Sequence, residues 1–323
     1  LNILWLTLDR SKQTIKHFDN FREAVEKIAN VTVIKKSQQG LTGRAFAEGI
    51  YSGKIKDQEI VPSGTFNKNQ FDVIVTDALF AMPNENWGKF RNIPKAYIAE
   101  DLHGDLPKKQ KELGIKYKFD FLFTRYFSPT KLHPECFNHH KVFWLPHCVP
   151  ESYFIEDSTK VVGVLLSGSC NSYYPFRQAV EKVFKNDPRF WRIERYRGPN
   201  ETDRNESGVD YIKNLLSKAK IHPVCGGKAE LGGYVVCKYA EIPAAGTLAI
   251  SPEFEDLKAY GFKDRENIVF CKKHEDILKT FNYYLENNEE RIRIVNNGRQ
   301  LIKNRHTCDK RAAEFIETLV TSR

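Results

Sequence analysis

The stretch VVGVLLSGS, residues 161–169, decides the fold. Val161–Leu166 is a continuous short apolar run that stops at three small residues, Ser167, Gly168 and Ser169. A helical pattern follows from about Pro175 to Lys185. An apolar run of this length without period-2 alternation is how a strand covered on both faces reads, and a helix directly after it starts a β–α unit of a parallel sheet. Immediately upstream, PHCVPESYFIEDS at 146–158 is polar and irregular. The run at 161 is therefore a restart, and the chain divides into residues 1–150 and 151–323.

Both sides of that break repeat the pattern. Before it, the expected strands are Asn2–Leu8, Val31–Lys35, Phe71–Thr76, Lys95–Ala99, Phe119–Thr124 and Lys141–Leu145, with an amphipathic helix over 18–29. After it come strands Trp191–Tyr196, Ile221–Val224, Thr247–Ser251 and Ile268–Cys271, a helix over 208–219, and two long closing helices over about 274–287 and 289–304. Strand–helix alternation of this kind predicts a doubly wound α/β fold in each half.

Composition sets the outer limits. A chain of 323 residues with 41% hydrophobic residues, 22 Phe and 14 Tyr builds sizeable cores, which excludes a disordered chain. Fifty basic against 41 acidic residues leave a net charge of +9, which fits an anionic partner: a nucleotide, a phosphorylated substrate, nucleic acid or a membrane surface. The charged runs mix signs, and no zinc-finger, basic-zipper or RNP-type motif is present, so nucleic acid is the disfavoured partner. Seven scattered cysteines without a C-x-x-C pair predict reduced thiols, no structural zinc and a cytoplasmic setting. Ile3–Leu8 lacks the basic start and cleavage site of a signal peptide, and no run is long enough to span a bilayer; peripheral membrane contact stays open. The absence of an initiator Met reads as a trimmed chain or an excised domain.

Ligands of open α/β sheets bind beyond the carboxyl ends of the strands. Ser167-Gly168-Ser169 leaves one such end, and small residues there admit a phosphate to backbone N–H groups; a plain small-residue turn fits equally. In KYAEIPAAGT, residues 238–247, Lys238 and Glu241 share one face of a helix that should stop near Pro243–Gly246. A cation and a carboxylate so placed suit a diphosphate and a ribose diol, although the spacing alone also fits a surface ion pair. Asp101 and His103, in EDLHG after the strand KAYIA, are candidates to take a proton from an acceptor hydroxyl, or to cap the next helix as a turn.

KYAEIPAAGTLAISPEFEDLKAYGF, then ENIVF and YYLENNEERIRIVNNGRQLIKNRHTCDKR, resembles the C-terminal half of a GT-B glycosyltransferase. More narrowly it resembles the CgeB-like (spore-maturation) branch of the group 1 enzymes. NSYYPFR at 171–177, IPKAYIAEDLHG at 93–104 and WLPHCVPESYF at 144–154 are similar to other landmarks of that family, in the same order. The resemblance implies two Rossmann-like domains facing across a cleft. Residues 1–150 would lie on the acceptor side and 151–323 would bind a nucleotide sugar, with the final helices returning toward the first domain. It implies a metal-independent transferase that needs no cofactor and uses a UDP- or GDP-sugar. The acceptor would be a hydroxyl of a glycan, a protein or another molecule.

Carried over by position, Glu241 matches the ribose-binding glutamate, Lys238 the basic position, and Gly246 and Thr247 the loop nearing the donor phosphates. Ser167, Gly168 and Ser169 match the loop that opens the donor site, with Tyr174 and Arg177 beside it and Arg177 as alternative phosphate ligand. Retaining relatives carry a second glutamate eight positions before the ribose-binding one; here that residue is Gly233, and the nearest upstream acid is Glu230. Retention is thereby weakened as an expectation, although it stays the favoured stereochemistry. A nucleotide-sugar-binding protein without turnover and a basic nucleic-acid-binding module are the alternatives.

Overall fold

A computed structural model of the chain describes residues 1–8, 17–36, 70–77, 92–99, 118–127, 141–156, 158–193, 208–227 and 233–322. In the first half, strands β1 (Asn2–Leu8), β2 (Asn30–Lys36), β3 (Val73–Thr76), β4 (Lys95–Ala99), β5 (Phe121–Thr124) and β6 (Lys141–Trp144) form one parallel sheet in the order β2-β1-β3-β4-β5-β6. Strands β3, β4 and β5 are buried along their whole length, which is why their sequences run apolar without alternation. Helix α1 (His17–Glu26) crosses from β1 to β2.

The second sheet contains β7 (Val162–Ser167), β8 (Phe190–Ile193), β9 (Ala219–Pro223), β10 (Leu248–Ser251) and β11 (Val269–Phe270), again all parallel, in the order β11-β10-β9-β7-β8. Its helices are α2 (Pro175–Phe184), α3 (Gly208–Asn214), α4 (Lys238–Ala244), α5 (Glu255–Tyr260), α6 (Ile277–Glu286) and α7 (Asn288–Arg305). A last helix, α8 (Cys308–Thr321), follows a two-residue break at His306–Thr307, where the extended Thr307 accepts from the Lys310 N–H through its hydroxyl as N-cap.

Three helical expectations change. The helix expected over 208–219 ends at Asn214, because a 3-10 turn at Leu216–Lys218 leads straight into β9. The segment expected to be helical from 274 opens as a 3-10 turn, His274–Asp276, before α6. Helices α5 and α8 were not expected at all.

Helix α8 packs in the first core, not the second. Cys308, Ala312, Phe315 and Leu319 lie with Ile3, Trp5, Phe21, Val73, Ile98 and Phe123. Phe315 is fully buried, edge-on to Phe123 at 4.6 Å and to Phe21 at 5.6 Å. Burying one such ring contributes about 2–3 kcal/mol.

The chain thus crosses between the sheets twice, near 145–150 and near 305–308, and the crossings lie side by side. Val149 N–H donates to His306 O at 3.1 Å, and Cys308 N–H donates to Val149 O at 2.9 Å. Around them Tyr260 donates to His147 O at 2.7 Å and stacks flat on His306, with ring centroids 3.6 Å apart. Phe127 N–H of the first half donates to the buried carboxylate of Asp256 in α5 at 3.1 Å.

Candidate functional site

In the second sheet β7 pairs with β8 on one side and β9 on the other, so the strand order reverses at β7. A crevice opens at the carboxyl end of such a switch point, because the connections leave in opposite directions. Ser167, the last residue of β7, stands there. Gly168 follows with φ at +91°, a left-handed conformation that lets the chain turn off the strand end.

Ser167 Oγ is shared by three side chains: Tyr211 Oη at 2.6 Å, His222 Nε2 at 2.8 Å and Lys238 Nζ at 3.3 Å. Lys238, the first residue of α4, also donates to Tyr211 Oη at 3.2 Å and lies over that ring at 4.8 Å. On the other side of the loop, Arg177 of α2 is 5% exposed. It donates to Ser169 O at 3.1 Å and to Cys225 O, just beyond β9, at 3.0 Å. Its guanidinium lies 4.3 Å over the ring of Tyr174, the residue that caps α2. A Cβ on Gly168 would meet Arg177 Nη1 at 3.2 Å and Lys238 Cε at 3.8 Å, so glycine leaves the two cations a shared approach.

The electrostatics of this cluster are one-sided. Among the described residues neither Lys238 nor Arg177 pairs with a carboxylate; their partners are hydroxyls and carbonyls. Burial works to lower the Lys238 pKa, but Tyr211 and then Glu241 outweigh it and hold the ammonium above its ordinary value. Burial, then the charges of Lys238 and Arg177, push His222 well below the ordinary histidine range, so its imidazole is neutral. Two cations over a neutral polar floor are an arrangement that attracts an anion.

Glu241 lies one turn further along α4 and is half-buried. It makes no ion pair with Lys238, whose Nζ reaches Ser167 and Tyr211 instead, so the surface pair that the spacing allows does not form. Among the described residues the Glu241 carboxylate has no hydrogen-bond partner. Its field, after burial, raises the pKa of Tyr153, whose hydroxyl is 3.5 Å from Asn20 Nδ2 of α1 in the first half.

Gly246 and Thr247 do not join the cluster. Helix α4 runs back against the strands, so the residues after its end lie at the opposite rim of the sheet, about 10 Å away along a seven-residue helix. Thr247 is 1% exposed, and its hydroxyl donates to Leu216 O at 2.6 Å. Lys160 Nζ donates to Gly246 O at 2.6 Å and Ser217 O at 2.7 Å. Both residues hold the far end of α4 in place.

Gly233 has φ at +60°, and a Cβ there would lie 2.6 Å from Cγ of Phe254. An aromatic ring fills the space that a side chain at 233 would need. Asp101 and His103 lie outside the described residues, as does Glu230. Sequence reasoning missed Tyr211 and His222, which no local motif marks. It also missed Asp77 at the corresponding switch point of the first sheet, where Thr7 Oγ1 donates to the buried carboxylate at 2.7 Å and Trp5 Nε1 at 3.1 Å.

Residues 172–317 match the family model described as "Glycosyl transferase-like". The comparison with curated protein sequences found no match. Among solved structures, Anabaena Alr3699/HepE in complex with UDP and glucose is similar with a TM-score of 0.64 at 10% identity, over 99% of this chain and 100% of that one. Sucrose-phosphate synthase from Thermosynechococcus elongatus gives 0.61 at 11% identity over 100% of both chains. A DNA-modifying beta-glucosyltransferase gives 0.60 at 14% identity over 99% of both. Two parallel sheets, each with its own switch point, and these neighbours together define the fold as GT-B. Among the described residues no helix is long and apolar enough to cross a membrane.

Proposed function

We propose that the protein is a glycosyltransferase that moves a sugar from a nucleoside-diphosphate sugar to an acceptor hydroxyl. The observation that carries this reading is the pair Lys238 and Arg177 on either side of Gly168 at the β7 switch point, two cations that meet no carboxylate among the described residues. A diphosphate supplies the charge they lack. Glu241, free to accept from vicinal hydroxyls, suits the ribose. HepE was crystallised with UDP and with UDP-glucose, which favours a UDP-sugar over a GDP-sugar.

In the reaction the bond from the sugar's anomeric carbon to the diphosphate oxygen breaks. The acceptor oxygen bonds to that carbon, and the acceptor's proton passes to a base. Negative charge gathers on the leaving diphosphate, where Lys238 and Arg177 stabilise it as a divalent ion would in a metal-dependent enzyme. Asp101 and His103 are our candidates for the proton-accepting side. Residues 1–150 would present the acceptor and 151–323 the donor, in a CgeB-like enzyme of the cytoplasm. Retention stays within this reading, but Gly233 and Phe254 leave no carboxylate at the position that retaining relatives use.

Thermal-shift and calorimetric titration with UDP, GDP, ADP and dTDP, followed by transfer and donor-hydrolysis assays with the matching sugars, tests the proposal. Binding of none of them would overturn it. Binding without transfer or hydrolysis would make the protein a nucleotide-sugar-binding protein, the reading that Gly233 permits.

A further inference from the structure

Cys148 and Cys308 lie 160 positions apart in sequence, yet their Sγ atoms are 3.1 Å apart in the interior. Their exposures are 4% and 2%. They stand on the two neighbouring crossings between the sheets. Val149, next to Cys148, exchanges backbone hydrogen bonds with His306 and Cys308, so the crossings form a short parallel ladder with the sulfurs at its side. Among the described residues no other two cysteine sulfurs meet; Cys170 and Cys237 are half-buried, and Cys225 and Cys271 are buried apart.

We propose that Cys148 and Cys308 are an oxidation site, closing to a disulfide that staples the two crossings together under peroxide. The sulfurs need to approach by about 1 Å to reach bonding distance. The thiolate of one cysteine attacks an oxygen of hydrogen peroxide, the O–O bond breaks and a sulfenic acid forms with release of water. The second sulfur then attacks the first, the S–S bond forms and a second water leaves. Two thiols lose two protons and two electrons, and peroxide is reduced to two waters.

The surroundings make the site conditional. Shared hydrogen bonding with Cys148, then burial, holds the Cys308 thiol well above its ordinary pKa, while the nearby Arg125 cation favours the thiolate. In the closed ladder the pair is therefore protonated and slow. Opening at the crossings admits peroxide, and ring closure then fixes the segments about which the two halves would move. This inference stands on the crossings and does not depend on the transferase reading.

The test uses the full chain, reduced, freed of reductant and treated with hydrogen peroxide under native conditions. Intact mass should fall by two hydrogens, and peptide mapping should recover the Cys148–Cys308 pair. The Tm should rise by several degrees and return on reduction, because the bond closes a long loop of the unfolded chain. Neither change should appear in Cys148→Ser or Cys308→Ser. Recovery of a different pair, or oxidation confined to Cys170 and Cys237, would overturn the proposal. So would a linked protein that melts where the reduced one does. The wild-type mapping decides even if a variant folds poorly.

Discussion

Lys238 donates to Ser167, 71 positions away in sequence, and not to Glu241, three residues along its own helix. The ammonium is thereby committed to the end of β7, where its partners among the described residues, Ser167 and Tyr211, are neutral. Lys238→Met keeps the stem and removes the charge. A charge-assisted contact to phosphate is worth about 1.5–3 kcal/mol, so nucleoside-diphosphate affinity should fall roughly 10- to 100-fold in calorimetric titration. Undiminished affinity would take Lys238 out of the site.

Among the described residues the Glu241 carboxylate has no partner. We expect Glu241→Gln to weaken UDP by about tenfold. Deoxyribose versions of the same nucleotide should bind the wild type weakly and lose little more in the variant. A uniform loss across ribose and deoxyribose ligands would point to a structural role instead.

Thr247→Val separates scaffold from site. Losing the hydroxyl leaves the Leu216 and Ala219 carbonyls short of a donor, at a cost of about 1–3 kcal/mol. Chemical denaturation should show that loss while nucleotide affinity is unchanged. A selective loss of affinity at constant stability would return Thr247 to the phosphates.

Restoring the glutamate of retaining relatives should fail here. Gly233→Glu meets both a left-handed backbone, about 1–2 kcal/mol, and the ring of Phe254, whose displacement adds roughly 1–3 kcal/mol. The variant should melt earlier and transfer no faster. A gain in turnover would show that Phe254 yields and that the pocket accepts the acid.

Acid should destabilise the fold through its buried histidines. His306 is held down to about 2, chiefly by burial and then by the charge of Arg311, while Nδ1 faces Arg311 and Nε2 faces Tyr260 O. In the unfolded chain it takes a proton near pH 6.5, so unfolding gains a proton below that point. The stability is complete above about pH 6.5 and falls by about 1.4 kcal/mol per unit as pH drops. His222 contributes in the same direction. Denaturant titrations across this range should show the slope, and His306→Gln should remove one histidine's share of it.

Much of the fold was legible because strands buried on both faces cannot alternate, and β3, β4, β5 and β7 announce themselves as apolar runs. The gathering of Lys238, Ser167 and Arg177 was legible because strand ends and helix starts sit at one rim of such a sheet. Gly246 and Thr247 were misplaced although the same reasoning was available: a helix that runs back against its strands carries its last residues to the other rim. Tyr211 and His222 lie 44 and 55 positions from Ser167, and only the strand order brings them together. Helix α8 was missed because the sequence reading closed the last helix near 304, whereas the crossing at His306–Thr307 lets a further helix start at Cys308.

That last helix also sets an order for synthesis. The first core includes Phe315 and Leu319, so a nascent chain that has emerged only as far as residue 150 cannot finish packing it. The opening strands must wait, partly uncovered, until the final turn leaves the ribosome. A fragment ending before Cys308 should show the same exposed apolar face for as long as it exists.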